Sequence, residues 1–339
     1  MSITLQDCLA ILPEAVHELF DADPRIQAVG VTRHESTYAI KAVQNQARVL
    51  PASSRRTVRK PPDQLQDVPV IVEPARADIG TLTVTLPLSS SFIPERGPHR
   101  PLVCGLQIQN FDDDNRQREA GNLGPTEGVI GAIGCFVKDP EARIAILSNN
   151  HVLAGENSGV KGKDRILQPG SLSFRKADQV ALLTEFEPLK PSPARAKPAK
   201  GNVVYNHADA AYARLIEDIA FRQEYLAARA LPAPSGTAKA KLGDRVFKVG
   251  PRTGLTHGKI SAVGTVVGPI PYDPGPCWFQ DQIEITGANG TLFSDQGDSG
   301  AIVVNQSGKL IGLLFAGNGT HSYASPIETV LKLLACQLV

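Results

Sequence analysis

From about residue 101 the chain is a succession of short apolar runs, each closed by turn-forming residues: 129–137 (VIGAIGCFV), 143–148, 203–206, 210–215, 245–250, 258–267, 281–286, 299–304, 309–316 and 320–324. Runs of this length and spacing cannot build a helical bundle. They fold into antiparallel barrels or sandwiches, and the plentiful glycine and proline supply the turns. At 339 residues the chain exceeds one small domain. The expected division is an α+β unit over 1–80, a Ser/Pro/Gly-rich linker over 81–100, and the β domain over 101–339. In the first unit Leu5, Leu9, Leu12, Val16 and Leu19 recur at helical spacing, so a helix over 4–20 is predicted despite Pro13. Strands are predicted over 26–33, 37–43 and 68–73. Within the β domain, 188–200 (PLKPSPARAKPAK) reads as an exposed loop and 215–230 has helical character. The chain closes with a helix entered through Pro326, with an apolar stripe at Ile327, Val330, Leu331, Leu334 and Leu338.

The net charge of +1 gives no global case for nucleic acid or an acidic membrane. The local basic stretch from Arg48 to Lys60, with Arg55, Arg56 and Arg59, reads as a solvated loop, a partner-binding arm being the alternative. No apolar run approaches the roughly 18 residues that span a bilayer. The N-terminus has no basic region leading into an apolar stretch, so a cytoplasmic location is expected. The cysteines (Cys8, Cys104, Cys135, Cys277, Cys336) are odd in number and lack metal-like spacing. They are read as reduced thiols, with neither metal nor organic cofactor expected.

The most informative string is SDQGDSGAIVV, 294–304. A serine hydroxyl is a weak nucleophile and needs a base and a site for the developing oxyanion. Gly297 and Gly300 let the backbone turn tightly around Ser299 and aim the amides of Gly297 and Ser299 at one point. The apolar run behind them anchors the turn. In LSNNHVLA, 147–154, His151 follows a strand at once, a position both fixed and able to reach a cleft. Asp209, in VVYNHADAAYARL, lies among alanines, where a carboxylate needs a partner and an imidazole N–H is a good one. Asp164 and Asp178 are the fallback candidates for this third position.

In this order, His151, Asp209 and Ser299, with SNNHVLA and QGDSGAIVV followed by GKLIGLLFAG, residues 101–339 resemble the chymotrypsin/trypsin-like serine peptidase family. The resemblance implies a mainly β fold of two antiparallel six-stranded barrels with the three residues in the cleft between them. It makes Ser299 the nucleophile, His151 the general base, Asp209 the orienting acid, and Gly297 with Ser299 the oxyanion amides. The layout is similar to an intracellular bacterial branch of that family. It is more distantly similar to the narrow-leaf serine proteases of plants, through AVGVTR, SNNHVLA and VGPRTGLTHGKI, which leaves a homo-oligomer open.

The chain departs from the family in having no cysteine after His151 and no clear activation site, GVIGAIG reading as the first barrel strand. Asp298 therefore needs a partner other than a new N-terminus. By resemblance, Phe293 to Gln296 and Phe315, Ala316 and Gly317 border the substrate site, with His321 not far off. Asp295 is the one acidic residue that could stand at the base of a pocket. Phe293 and Phe315 either fill the pocket or belong to the core. Residues 315–317 could pair with an extended substrate backbone by strand addition. The expected activity is that of an endopeptidase acting on a protein or peptide. The alternatives are a gated or inactive scaffold that binds a protein partner, and an esterase, which lacks the GxSxG context here.

Overall fold

A computed structural model of the chain describes residues 3–50, 58–81 and 93–339. Arg55 and Arg56 of the basic stretch and most of the expected linker lie outside the described residues. Helix α1 (Leu5–Ala22) leads into β1 (Ile26–His34), β2 (Thr37–Asn45), β3 (Gln64–Leu65), β4 (Val68–Ala75) and β5 (Gly80–Thr81). The middle of the chain holds β6 (Gln107–Asn110), α2 (Phe111–Glu119), β7 (Ile130–Ala132), β8 (Cys135–Lys138), β9 (Ile144–Ser148), α3 (Asn150–Leu153), β10 (Arg165–Leu167), β11 (Gln179–Phe186), β12 (Tyr205–Asn206) and β13 (Ala211–Leu215). The remainder holds β14 (Arg245–Gly250), β15 (Gly254–Ile270), β16 (Cys277–Gly287), β17 (Ile302–Asn305), β18 (Leu310–Gly317), β19 (His321–Pro326), α4 (Ile327–Leu333) and β20 (Gln337–Leu338).

Two sheets curve into barrels, so the protein is mainly β. In the first, the order β8-β9-β13-β11-β10-β6-β7 brings the chain back on itself, because β7 and β8 are halves of one run. That run, expected as a single strand over 129–137, bends at Ile133–Gly134. Its first half pairs with β6 and its second with β9. Gly134 is required at the bend: a Cβ there would lie 2.5 Å from the Gly300 carbonyl oxygen. In the second, β14, β15, β16, β19, β18 and β17 pair antiparallel in a closed ring.

The N-terminal residues do not form a separate sheet. β1 pairs antiparallel with β15 (Ala28↔Val267, Val31↔Val263), so β1, β2, β4 and β3 extend the second barrel's sheet outward. Helix α1 is opened by a capping box between Thr4 and Asp7 and covers that extension. Cys8, Leu12, Val16 and Leu19 are buried against Val29, Val31 and Ile40, and Phe20 meets the edge of Trp278 at 4.9 Å. Each such side chain stabilises by roughly 1.5–3 kcal/mol. Pro13 faces solvent, where the missing N–H is tolerated.

The helix expected over 215–230 is not formed, and only Ala227–Arg229 makes a helical turn. The segment instead runs beside residues 102–104, bonding Leu102 N to Ala220 O at 2.8 Å and Cys104 N to Glu224 O at 2.8 Å. Phe221 and Tyr225 are thereby packed on the first barrel's core. Packing has overridden local propensity there.

A buried charge network joins the extension to the second barrel. Lys41 Nζ lies 2.7 Å from Glu73 Oε2 and 2.8 Å from Glu284 Oε1, and His321 Nε2 lies 3.2 Å from Glu73 Oε2. The His321 hydrogen bond and then Lys41 hold the Glu73 carboxyl down at about 2, against an ordinary 4.5. A carboxyl with a lowered native value confers stability that is complete above its unfolded value and is lost as pH falls through the native one. Glu73→Gln should therefore flatten the fall in urea midpoint between about pH 4.5 and 2. Glu73 is 41% exposed, so solvent screening keeps the effect to about 1 kcal/mol.

Candidate active site

Strand β9 lies between β8 and β13 with its last four residues buried. Asn149 stands at the N-cap position of the single-turn α3 without a side-chain capping bond, and α3 carries His151 directly after β9 ends. The β9–β13 register pairs Ser148 with Ala211, and carrying it on sets Asp209 opposite the turn that holds His151. His151 Nδ1 is 2.5 Å from Asp209 Oδ2 with both side chains fully buried. Asp209 Oδ1 accepts from the His151 amide at 3.2 Å. Asn149 Nδ2 donates to the Asp209 carbonyl at 2.7 Å, and the Tyr272 hydroxyl donates to Oδ2 at 2.8 Å. A carboxylate on Nδ1 keeps the proton there and leaves Nε2 as an acceptor.

Ser299 belongs to the other barrel, on the turn just before β17, and its backbone is tied to the first barrel. Its carbonyl accepts from the Ala132 amide at 2.7 Å, and the Ala132 carbonyl accepts from Ser148 Oγ at 2.8 Å. Gly131 lies between the two elements, since a Cβ on it would come within 2.5 Å of Val152 and 2.7 Å of the Ser299 carbonyl oxygen. Among the described residues, His151 Nε2 and Ser299 Oγ are both buried without a hydrogen-bond partner.

The turn that carries Ser299 is fixed by alternate amides. Asp298 N donates to Asp295 O at 3.1 Å and Gly300 N to Leu314 O at 2.9 Å. Among the described residues the amides of Gly297 and Ser299, each one position before these, have no protein acceptor. Gly297 (φ 104°) and Gly300 (φ 83°) take left-handed values that other residues resist. Asp298 points inward and is held by Lys248 Nζ at 3.0 Å, Thr253 Oγ1 at 2.7 Å and the Arg252 amide at 2.9 Å. Lys248, fully buried on β14, is the partner that Asp298 needed. Burial pushes its ammonium down in pKa and Asp298 opposes that.

The fallback aspartates are committed elsewhere. Asp164 accepts from Arg116 at 2.7 Å and Asn110 at 3.0 Å, and Asp178 from Arg175 at 2.6 Å. Phe293 and Phe315 are buried: Phe315 packs against Phe279 with tilted rings 4.7 Å between centroids, and Phe293 lies among the second barrel's aliphatic side chains. Gln296 is exposed. Asp295 is drawn to Arg252 at 3.2 Å. Ala316 and Gly317 lie where β18 meets β19 on one side and β5 on the other. All five cysteines are free and buried. Burial raises their thiols, Cys8 to about 11 and Cys277 to about 12, which argues against a thiolate nucleophile. Among the described residues no cluster could hold a metal ion, and no helix is long and apolar enough to cross a membrane.

Three residues near the site carried no assignment from the sequence. Lys248, in the apolar run VFKVG, was detectable as a lysine at an inward strand position. Tyr272, in a proline-rich turn, and Glu156 gave no such signal. Glu156 sits at φ 55° beside His151 in a cleft of about 160 Å³, and burial raises its carboxyl to about 7.

No family model and no curated protein matches the chain. Solved structures similar to it include the Nocardiopsis protease NAPase, at 15% identity and TM-score 0.46, covering 70% of this chain and 98% of that one. Protease A of Thermobifida fusca is similar at 16% identity and TM-score 0.42, covering 62% and 91%. The chymotrypsin of Cellulomonas bogoriensis is similar at 16% identity and TM-score 0.41, covering 61% and 90%.

Proposed function

We propose that the protein is a serine endopeptidase. The observation that carries the reading is the buried His151–Asp209 pair; the His151 Nε2 and the Ser299 hydroxyl, each buried without a partner, support it as a complementary acceptor and donor. In the proposed reaction Ser299 Oγ attacks the peptide carbonyl and gives its proton to His151 Nε2. The tetrahedral oxyanion is met by the amides of Gly297 and Ser299. Collapse breaks the C–N bond, His151 returns the proton to the leaving amine, and an acyl-Ser299 ester remains. Water, deprotonated by His151, then hydrolyses the ester. Asp209 holds the imidazole in the required tautomer and stabilises it when charged.

The test is labelling with a fluorophosphonate, followed by a protein-derived peptide library. A chain that is neither labelled nor cleaves any peptide is no peptidase, and labelling without cleavage favours a gated scaffold or an esterase.

Tyr272 supplies a finer test. Its hydroxyl is one of the donors fixing Asp209 Oδ2, and a hydrogen bond to a charged group contributes about 1.5–3 kcal/mol. Tyr272→Phe keeps the ring packed and should lower kcat/KM by roughly tenfold or more with unchanged KM, measured on any peptide the wild type cleaves.

A further inference from the structure

Strand β18 has two edges, and each has a definite owner. Along one it pairs with β19, with Ala316 opposite Tyr323 and Gly317 opposite Ser322. The other is covered as far as Leu314 by the segment that follows Ser299: Gly300 N donates to Leu314 O at 2.9 Å, and Leu314 N donates to Ala301 O at 3.0 Å. Beyond Leu314 that second edge is taken by β5, with Thr81 opposite Ala316 and Gly80 opposite Gly317, antiparallel. The arm thus enters at Gly317 and runs toward Leu314, in the direction of Ser299.

The arm is held by more than its pairing. Asp78 Oδ1 accepts from Gln27 Nε2 at 2.5 Å and from Asn45 Nδ2 at 3.1 Å, on the first two strands. Ile79 is only 4% exposed and packs in the cluster that contains Phe315 and Ala316. Among the described residues the arm meets β18 through two paired residues and the apolar anchor Ile79, and an extended peptide can compete for the same edge through its own backbone bonds.

Resting on the peptidase reading for the identity of the site, we propose that residues 78–81 occupy in cis the strand site on β18 through which an extended peptide docks. The N-terminal segment is then a built-in, displaceable competitor of substrate. An intramolecular occupant acts at an effective concentration set by its tether and is independent of dilution.

The experiment uses a fluorescein-labelled peptide with the sequence of residues 76–85, in full-length protein carrying Ser299→Ala so that no turnover intervenes. The double variant Asp78→Ala/Ile79→Ser should bind the peptide at least tenfold more tightly than the protein with its arm intact. A second variant, Gly80→Pro/Thr81→Pro, removes the arm's amide donors and leaves both anchors in place, and a Cβ at position 80 meets no atom within 4 Å. It should do the same. Hydrogen exchange should quicken in both variants, when peptide is absent, at the one amide of residues 316 and 317 that faces the arm, while its neighbour bonded toward β19 stays protected.

Equal affinity in all three proteins, with near-UV circular dichroism unchanged, overturns the proposal. The peptidase reading fails separately, by absence of fluorophosphonate labelling in protein with Ser299 present. Where that labelling exists, the arm variants should raise kcat/KM on tetrapeptides through KM while the labelling rate stays within twofold. An unchanged KM overturns the proposal.

Discussion

Ser299→Ala should abolish fluorophosphonate labelling and lower peptide hydrolysis by about a million-fold, and His151→Ala should do nearly as much. The size follows from how the two groups divide one task. The hydroxyl is inert without an acceptor for its proton, and Nε2 has nothing to accept when the hydroxyl is gone. The double variant should therefore be no worse than either single one, a non-additivity that independent binding contributions would not give. Asp209→Asn leaves the site's shape but offers the imidazole the wrong hydrogen-bonding pattern, and should cost about ten-thousand-fold. The measurements are single-turnover hydrolysis and probe labelling on variants whose thermal midpoints match the wild type. Hydrolysis by Ser299→Ala at a rate close to that of the wild type would mean that the reaction does not pass through Ser299.

Lys248→Met should lower stability by about 3–5 kcal/mol, because it leaves the Asp298 carboxylate buried without its ion partner. For a chain of this size that corresponds to a fall of roughly 10 °C in thermal midpoint by calorimetry. The loss should be mostly recovered in Lys248→Met/Asp298→Asn, which removes both charges. The double variant should still label slowly. Asp298 also accepts from the Arg252 and Thr253 amides, and an asparagine keeps only part of that set while the turn it anchors presents the Gly297 and Ser299 amides. A Lys248→Met protein as stable as the wild type would mean that the turn is fixed by the Thr253 side and the backbone alone.

The sequence was most legible where a period or a register left little freedom. The α1 stripe, the runs that became β14 to β19, and the ends of β9 and β13 were readable because apolar spacing maps onto one face of an element. For His151 and Ser299 the neighbouring glycines and the preceding strand carried the signal, and Asp209 was singled out by the alanines that surround it. Strands β6, β10 and β11 were missed. Gln107–Asn110 alternates polar side chains that find partners only through tertiary contacts, such as Asn110 with Leu153 O and Asp164. The segment 215–230 was misread as helical because its apolar residues follow the first barrel's surface. The pairing of β1 with β15 joins residues more than 230 positions apart, and no local pattern announces such a contact. Nor does any pattern announce that Gly80 and Thr81 sit on β18.

The cation that orders the Asp298 turn is a side chain of the same barrel, present in the chain from its synthesis. Where such a turn waits for a cut to release an amino group, competence is a matter of maturation, and an unprocessed reserve can be stored and converted later. A lysine inside β14 removes that interval. The turn is set once the barrel closes, so the chemistry proposed for this cleft would await no cut. Control would then fall to synthesis, to degradation and to whatever is able to lift the N-terminal arm.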